Sequence, residues 1–245
     1  MTIKQAMVLA AGLGTRMRPI TDRIPKPLVK IDGKPMLDYA LDLLVAAGVE
    51  KVAVNIHHHA DQMLAHLQSY QGLDVVVSDE TQALMNSGGG LAKGLRLLGR
   101  HPVFVMNADL FWIGEKAGVP TNLERLADFF DASTMDMALL CVALDRTTGH
   151  NGKKDFSLGA DGRLVRYSEG MPNPVVYAGA IVLQPALFDD APGDAFNLNV
   201  YFDRAVASGR LYGLVLDGHW LTVGTPDAID AAEDAIRHIE GQKPS

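Results

Sequence analysis

A short segment near the start of the chain combines glycine, arginine and lysine in a spacing suited to phosphate binding. Gly12 and Gly14 follow a short apolar run, and Arg16 comes two residues after the second glycine. Small residues after a buried strand allow the backbone to approach a ligand, and successive N–H groups in such a turn bind anions. Arg16 and Lys26 add fixed positive charge for phosphate oxygens. We therefore predict a phosphate site within residues 9–28.

Two better-known phosphate loops do not fit this segment. A dinucleotide fingerprint requires glycine or alanine where the chain has Met17, and Pro19 opposes a helix that starts at once. A Walker A loop requires Gly-Lys-Ser/Thr, whereas Lys26 stands between two prolines. The simpler alternative is a tight turn with solvated cations. The glycine pair combined with Pro-Lys-Pro is more specific than a turn requires, which favours the phosphate site.

A carboxylate follows the fourth predicted strand. Asp109 comes directly after the mostly apolar run 103–108. In an open parallel sheet, ligands bind outside the carboxyl ends of the strands, where this residue falls. A carboxylate oxygen at that place suits Mg²⁺ that bridges phosphates. The alternative is that Asp109 caps a turn or a helix, and the residue pattern alone leaves both interpretations open.

The elements that position these residues follow from hydrophobic periodicity. Strands are predicted at 6–9, 52–56, 73–77 and 102–106, and helices between them at 36–47, 60–70 and 91–98. The second half is less regular, with helices at 122–130, 198–207 and 226–239 and strands at 137–143, 156–158, 164–167 and 175–183. We therefore predict an α/β fold with a mostly parallel central sheet, helices on both faces and a small antiparallel addition.

Composition limits the class of protein. The 245 residues are 48% hydrophobic and 21% charged, values typical of a globular domain. A net charge of −7 without a block of like charges disfavours nucleic-acid binding. We expect a cytoplasmic protein without membrane anchor or export signal, because no apolar run approaches the roughly 20 residues that cross a bilayer. The single cysteine, Cys141, lies in an apolar run and is predicted to be a core residue.

The residues from Leu9 to Leu28 resemble the signature of sugar-phosphate nucleotidyltransferases, which join a nucleoside triphosphate to a sugar 1-phosphate and release pyrophosphate. The resemblance extends over nearly the whole chain, through Gly88-Gly89-Gly90 before a predicted helix, Asn107-Ala108-Asp109, Tyr177-Ala178-Gly179 and Trp220 with Val223-Gly224-Thr225. It implies a single Rossmann-like nucleotidyltransferase domain over 1–245, with a nucleotide-binding half at about 1–115 and a sugar-binding half at about 116–245. Lys154-Asp155-Phe156 and Gly218-His219-Trp220 are most similar to members that use UTP and N-acetylmuramate 1-phosphate in cell-wall sugar recycling.

The resemblance also implies roles for individual residues. Arg16 would hold the leaving pyrophosphate, Lys26 would neutralise the α-phosphate, and Asp109 would bind Mg²⁺. The remaining nucleotide contacts would come from Ala11, Gly12, Gly14, Thr15, Gly88 and Asn107, while Gly90 would allow the turn into the helix. On the sugar side, Asp155, Glu169 and Gly179 would contact the sugar, with phosphate held from Lys153 or Lys154. Each of these charged sugar-side residues, taken alone, is more typical of a solvated surface group than of a ligand contact.

One position departs from the family pattern. Members usually carry a second metal-binding aspartate where this chain has Thr222, whose neutral oxygen is a poorer ligand for Mg²⁺. Triphosphate and water could complete the metal shell, metal affinity could be weak, or another residue could replace the aspartate. The candidates for that replacement are Asn197, Asn199 and Asp217.

Several alternatives stay open at this point. The chain could be a guanylyl- or thymidylyltransferase for a mannose-, heptose- or glucose-type 1-phosphate, or a catalytically weakened nucleotide-sugar sensor. Retention of Arg16, Lys26 and Asp109 argues against the sensor. The expected partners are a nucleoside triphosphate and a sugar 1-phosphate, with no nucleic acid or membrane, and the chain is expected to be a monomer or homodimer. Adjacent residues of His57-His58-His59 point to alternate faces, which disfavours a metal site there.

Overall fold

The computed structural model describes residues 1–241. In chain order the strands are β1 (Gln5–Leu9), β2 (Lys30–Ile31), β3 (Lys34–Pro35), β4 (Lys51–Ile56), β5 (Asp74–Asp79), β6 (Val103–Asn107), β7 (Leu110–Ile113), β8 (Met137–Val142), β9 (Thr147–Thr148), β10 (Phe156–Leu158), β11 (Leu164–Arg166), β12 (Pro174–Leu183), β13 (Leu211–Val215) and β14 (His219–Thr222). The helices are α1 (Met36–Ala46), α2 (Ala60–Ser69), α3 (Asn86–Leu95), α4 (Asn122–Phe129), α5 (Asn199–Ala207) and α6 (Asp227–Glu240).

The parallel half of the central sheet consists of β6, β1, β4 and β5 in that order. Side chains alternate across β1, so that Ala6 and Val8 belong to one apolar cluster and Met7 to another. Helices α1, α2 and α4 contribute to the first cluster, and α3 and α5 contribute to the second. The sheet therefore carries helices on both faces, and the carboxyl ends of its four parallel strands meet at one edge.

The antiparallel part is more extensive than the sequence pattern indicates. β12 pairs antiparallel with β6, β8 and β10, and β11 extends the sheet beyond β10. β13 pairs parallel with β8. A separate three-stranded sheet of β7, β14 and β9 was not expected from the sequence. These strands have two to four residues each, too few to show a clear period in the sequence.

A small apolar cluster connects the glycine segment to the C-terminal helix. Met17 is fully buried among residues that include Phe111 of β7, Leu221 of β14 and Ile236 of α6. The three-stranded sheet and α6 therefore anchor the segment that carries Arg16. This packing fixes the backbone next to the predicted phosphate site.

The triple glycine lies inside a helix, so the prediction that it precedes one is wrong. Helix α3 begins at Asn86, five residues before the predicted start. A Cβ at Gly88 would lie 2.3 Å from the ring of Phe196, and one at Gly90 would lie 2.6 Å from Oε1 of Glu80. The glycines thus permit close packing of α3 rather than a turn. Ser87 lies in the first turn of α3, directly before the three glycines.

Two further predictions concern single features. Cys141 is fully buried in β8, and burial raises the pKa of its thiol, which agrees with the predicted core role. Among residues 1–241, no helix has the length and apolar character that a membrane span requires.

Candidate functional site

A first cleft lies at the carboxyl ends of the parallel strands and has a volume of about 250 Å³. Its walls come from the ends of β1, β4 and β6, the residue after β5, the glycine segment and the start of α3. They are formed by Leu9, Ala11, Gly12, Asn55, Glu80, Leu84, Asn86, Ser87 and Asn107. Ala11, Gly12 and Asn107, which the family resemblance assigns to nucleotide binding, therefore share one cavity.

A buried polar network forms the floor of the first cleft. Asn55 Nδ2 donates to Glu80 Oε1 at 2.6 Å, and Asn55 Oδ1 accepts from the backbone N–H of Ala10 at 2.6 Å. Glu80 Oε2 accepts from the backbone N–H of Met85 at 2.9 Å. The side chains are almost inaccessible, since Asn55 is 3% and Glu80 is 1% exposed. The network joins the ends of β1, β4 and β5 to the residue before α3.

Sequence reasoning missed Asn55, Glu80, Asn86 and Ser87. The signal for the first two was present, because Asn55 interrupts an apolar strand near its carboxyl end and Glu80 directly follows the next strand. Like Asp109, both residues lie at the carboxyl end of a parallel strand, where open sheets bind ligands.

Lys26 and Asp109 form an ion pair beside the glycine segment. Lys26 Nζ lies 2.6 Å from Asp109 Oδ2, and the lysine side chain is only 10% exposed whereas the aspartate side chain is 37% exposed. Lys26 begins a short 3₁₀ turn after Pro25. The structure thus brings together two residues separated by 83 positions in the chain.

The glycine segment is held in shape by Thr21. Gly14 has φ of 64°, and a Cβ there would lie 2.9 Å from Thr21 Cγ2, so glycine suits this position on both grounds. Thr21 Oγ1 donates to the carbonyl of Gly14 at 2.8 Å. His58 Nε2 donates to the carbonyl of Thr21 at 2.8 Å, and His59 Nε2 lies 3.3 Å from the same oxygen. The histidine run therefore supports the loop.

Arg16 is exposed and faces the C-terminal part of the chain. Its guanidinium approaches Gly224 so closely that a Cβ there would lie 3.4 Å from Nη1. Among residues 1–241, Arg16 has no hydrogen bond or ion pair, and its charge is available to a ligand. Thr15, its neighbour, is also exposed. Thr222 pairs across β14 and β7 with Leu110, the residue after Asp109, so it occupies the position next to the predicted metal ligand.

A second cleft of about 230 Å³ adjoins the first and shares Leu9, Ser87 and Asn107 with it. Its remaining walls come from β10, β11, β12 and the region around the start of α5. They are formed by Asp155, Phe156, Arg166, Tyr177, Asn197, Leu198, Asn199 and Phe202. Of the predicted sugar-side residues, Asp155 lines this cleft, and its Oδ2 accepts from the backbone N–H of Tyr177 at 3.0 Å.

Tyr177 lines the second cleft and carries a buried hydroxyl. Among residues 1–241, this hydroxyl has no hydrogen-bond partner. Burial raises the pKa of Tyr177, and the carboxylates of Asp109 and Asp155 add to that effect. Leaving a buried polar group unpaired costs about 1–3 kcal/mol, which marks it as a group that a ligand can satisfy.

The other predicted contacts lie outside the two clefts. Glu169 is exposed in a turn. Gly179 has φ of 85° inside β12, and a Cβ there would overlap the side chain of Leu110. Gly88 packs against Phe196. The ligand contacts assigned to these three residues stay predictions.

The donor set around Asp109 suits a magnesium ion that arrives with phosphate. Among the described residues, no group of three or more His, Cys, Asp and Glu side chains could hold a metal ion. Mg²⁺ is commonly held in proteins by one or two carboxylates together with substrate phosphates. Asp109 supplies one carboxylate. Thr222 in β14 pairs with Leu110 in β7, the residue directly after Asp109.

Comparison with known proteins defines the class to which this fold and site belong. Residues 6–190 match the MobA-like NTP transferase domain family. The chain belongs to that family and is a nucleotidyltransferase of the sugar-phosphate type. The predicted family and the predicted fold class are confirmed.

Two curated relatives and one solved structure are similar over almost their entire lengths. The chain is 43% identical to an N-acetylmuramate alpha-1-phosphate uridylyltransferase of Caulobacter vibrioides, with 94% of this chain and 96% of the relative covered. It is 31% identical to the protein of the same name from Neisseria meningitidis, with 90% and 93% covered. The inositol-1-phosphate CTP transferase from T. maritima superposes with a TM-score of 0.78 over 100% of this chain and 99% of that one, at 16% identity, which shows the fold alone.

Proposed function

We propose that this chain joins UTP to N-acetylmuramate 1-phosphate, giving the UDP-sugar and pyrophosphate, in the recycling of cell-wall sugars. The observation that carries the reaction type is the Lys26–Asp109 pair. Asp109 follows two residues after Asn107, which ends β6 and lines both clefts. The 43% identity to the Caulobacter vibrioides enzyme supports the choice of substrates. We place the reaction in the cytoplasm.

The two clefts divide the substrates between them. We place uridine and the triphosphate in the first cleft, with the backbone of Ala11, Gly12 and Gly14 against them and Asn107 at the ribose or phosphate. We place the sugar in the second cleft beside Asp155 and Tyr177. The second cleft takes walls from both halves of the chain, which supports one catalytic domain rather than two independent ones.

The reaction requires positioning and charge neutralisation rather than a protein nucleophile. An oxygen of the sugar 1-phosphate attacks the α-phosphorus while the bond to pyrophosphate breaks, and the pyrophosphate carries away the electron pair. Lys26 neutralises charge that builds on the α-phosphate, and Arg16 binds the departing pyrophosphate. Asp109 would hold Mg²⁺ together with phosphate oxygens, and the ion would supply positive charge to the phosphates.

Pyrophosphate release distinguishes this proposal from the alternatives. The wild-type protein is incubated with each of UTP, GTP, dTTP, CTP and ATP against N-acetylmuramate, N-acetylglucosamine, glucose and mannose 1-phosphates. We expect UTP with N-acetylmuramate 1-phosphate to have the highest kcat/KM. A preference for GTP with mannose 1-phosphate would establish the guanylyltransferase, and nucleotide binding without pyrophosphate release from any pair would establish the sensor.

A further inference from the structure

The second cleft contains one cationic side chain among its lining residues, that of Arg166. The only other charged lining residue is Asp155, whose Oδ2 already accepts a hydrogen bond from the cleft wall. An arginine in a cleft that otherwise presents amide, hydroxyl and aromatic groups is the natural binding partner for an anion.

Arg166 is held rigidly by its neighbours. Its Nε donates to Asp203 Oδ1 at 2.7 Å, and its Nη2 donates to Asn199 Oδ1 at 2.8 Å. Its guanidinium lies 4.7 Å from the centre of the Phe156 ring. Among residues 1–241, Nη1 has no hydrogen-bond partner. A guanidinium fixed on one edge and one face loses little further side-chain freedom when its remaining N–H groups bind a ligand.

The ion pair with Asp203 does not cancel the charge that Arg166 offers to a ligand. The Asp203 side chain is 62% exposed, so water and salt screen its carboxylate. A ligand carboxylate bound inside the cleft would be less screened than Asp203. Arg166 can therefore serve a second anion.

The position of Arg166 in the sheet separates it from the phosphates. Arg166 ends β11, which is three strands away from β6 in the sheet order β11-β10-β12-β6. Neighbouring strands lie about 4.8 Å apart, which places β11 roughly 14 Å from the strand that leads to Asp109. Lys26 pairs with Asp109, so the reacting phosphates belong at that end. The end of the second cleft at Arg166 is therefore left for the substituents of the sugar ring.

We propose that Arg166 binds a carboxylate carried by the sugar, and that the second cleft thereby selects an acidic sugar 1-phosphate. This inference rests on the proposed function, because N-acetylmuramate differs from N-acetylglucosamine by a lactyl ether that ends in a carboxylate. Arg166 is a specificity-determining residue that acts on substrate binding, remote from the reacting phosphorus. The alternative anion is the phosphate that all sugar 1-phosphates share. The substrates chosen for the test distinguish binding of this phosphate from binding of the carboxylate.

The test compares two sugars that differ by the lactyl group. kcat and KM are measured with N-acetylmuramate 1-phosphate and with N-acetylglucosamine 1-phosphate for the wild type, Arg166→Gln and Arg166→Lys. Because a hydrogen bond to a charged group is lost, Arg166→Gln should lose about 10- to 100-fold in kcat/KM with the acidic sugar, chiefly through KM. With the neutral sugar the change should stay below about threefold. Arg166→Lys should fall between these limits for the acidic sugar.

Arg163→Gln is the matched control. Arg163 directly precedes β11, pairs with Asp161 at 2.8 Å and does not line the second cleft. The Arg163→Gln variant removes the same charge from the same region and should leave kcat/KM with both sugars unchanged. Titration calorimetry of UDP-N-acetylmuramate and UDP-N-acetylglucosamine should show the same split between variants without turnover, and thermal unfolding should show that the variants are folded.

Equal losses with both sugars would overturn the inference and assign Arg166 to the shared phosphate. Unchanged constants with both would show that Arg166 takes no part in recognition. If the wild type does not use N-acetylmuramate 1-phosphate, the proposed function fails independently of Arg166. The binding of UDP-glucuronate against UDP-glucose then decides whether the cleft selects a carboxylate, since only an Arg166-dependent preference for the acid would support it.

Discussion

The Nζ atom of Lys26 lies 2.6 Å from Oδ2 of Asp109, and this contact joins the glycine segment to the strand end at β6. In the free protein each of these residues neutralises the other. In the proposed reaction, however, Lys26 binds phosphate and Asp109 binds Mg²⁺. Arrival of the magnesium nucleotide therefore exchanges one internal ion pair for two ligand contacts, which links metal binding to nucleotide binding.

Replacement of Lys26 should affect turnover and metal binding in opposite directions. Lys26→Ala should lower kcat by about 10²-fold or more, the range for loss of one charge partner in the transition state. It should also tighten Mg²⁺ binding to the free protein, because the carboxylate of Asp109 loses its competing cation. Stopped-time pyrophosphate assays and calorimetry measure the two effects. Lys30→Ala, which removes an exposed lysine of β2, is the control, and near-normal kcat for Lys26→Ala would remove it from the catalytic residues.

Asp109→Asn should abolish most of the activity and also lower stability. The amide keeps the shape but removes the charge that Mg²⁺ requires, so excess Mg²⁺ should restore part of the activity if weak metal binding is the defect. Lys26 would be left without its counter-ion while almost buried, which should cost about 1 kcal/mol in the free energy of unfolding. Asp74→Asn, at the exposed amino end of β5, is the control. Unchanged activity and unchanged metal dependence would show that Asp109 is a turn cap.

Tyr177→Phe should stabilise the free protein while it weakens sugar binding. The variant removes a buried hydroxyl that has no partner among residues 1–241, so the free energy of unfolding should rise by about 1 kcal/mol. KM for the sugar 1-phosphate should rise, because the same hydroxyl would pair with the ligand in the second cleft. Tyr167→Phe is the control, since that hydroxyl already accepts from Lys154 Nζ at 3.1 Å and its removal should bring no gain in stability. A stabilised variant with unchanged KM would exclude a ligand contact.

The sequence predicted the parallel half of the fold through local patterns, and the same patterns singled out Lys26 and Asp109 separately, without predicting their contact. An apolar run followed by a glycine segment or by a carboxylate indicates a parallel strand whose carboxyl end carries candidate site residues. Arg166 and Tyr177 were not predicted, because the pairing of β12 with β6 and β10 depends on contacts that are distant in the sequence. The role of the triple glycine was hidden for the same reason. Its packing partners, Phe196 and Glu80, are set by the tertiary fold.

Gly90→Ala tests whether the buried Asn55–Glu80 network requires a residue without a side chain at position 90. The added Cβ would lie 2.6 Å from Glu80 Oε1 and 2.7 Å from Asn55 Nδ2. Both atoms are fixed by hydrogen bonds, so the clash should lower the free energy of unfolding by about 1–3 kcal/mol despite the higher helix propensity of alanine. Thermal and urea unfolding measure the change. Gly193→Ala, where a Cβ meets nothing within 4 Å, should be neutral, and an equally stable Gly90→Ala would show that α3 can shift freely.

Thr222 pairs with Leu110, the residue after the proposed metal ligand Asp109. A neutral oxygen at this position leaves the site one carboxylate short, so Mg²⁺ should bind weakly to the free protein and much more tightly when UTP supplies phosphate oxygens. Thr222→Asp should raise the Mg²⁺ affinity of the free protein and slow release of the magnesium pyrophosphate. Calorimetry of Mg²⁺ with and without UTP, on both forms, measures these affinities.

Thr2→Asp provides the control for Thr222→Asp, because it adds the same charge before the amino end of β1, at the opposite edge of the sheet from the clefts. It should leave Mg²⁺ affinity unchanged in both states. Tight Mg²⁺ binding to the free wild-type protein, equal to that in the presence of UTP, would contradict the single-carboxylate arrangement. Another residue would then supply the second ligand, and Asn197, Asn199 and Asp217 would be tested in turn. Of these, Asn197 and Asn199 line the second cleft, so their loss should also change the KM for the sugar 1-phosphate. Asp217 pairs with Lys116 and precedes the end of β14 that pairs with Ile113, remote from the Thr222–Leu110 end, so its loss should change neither KM nor metal affinity.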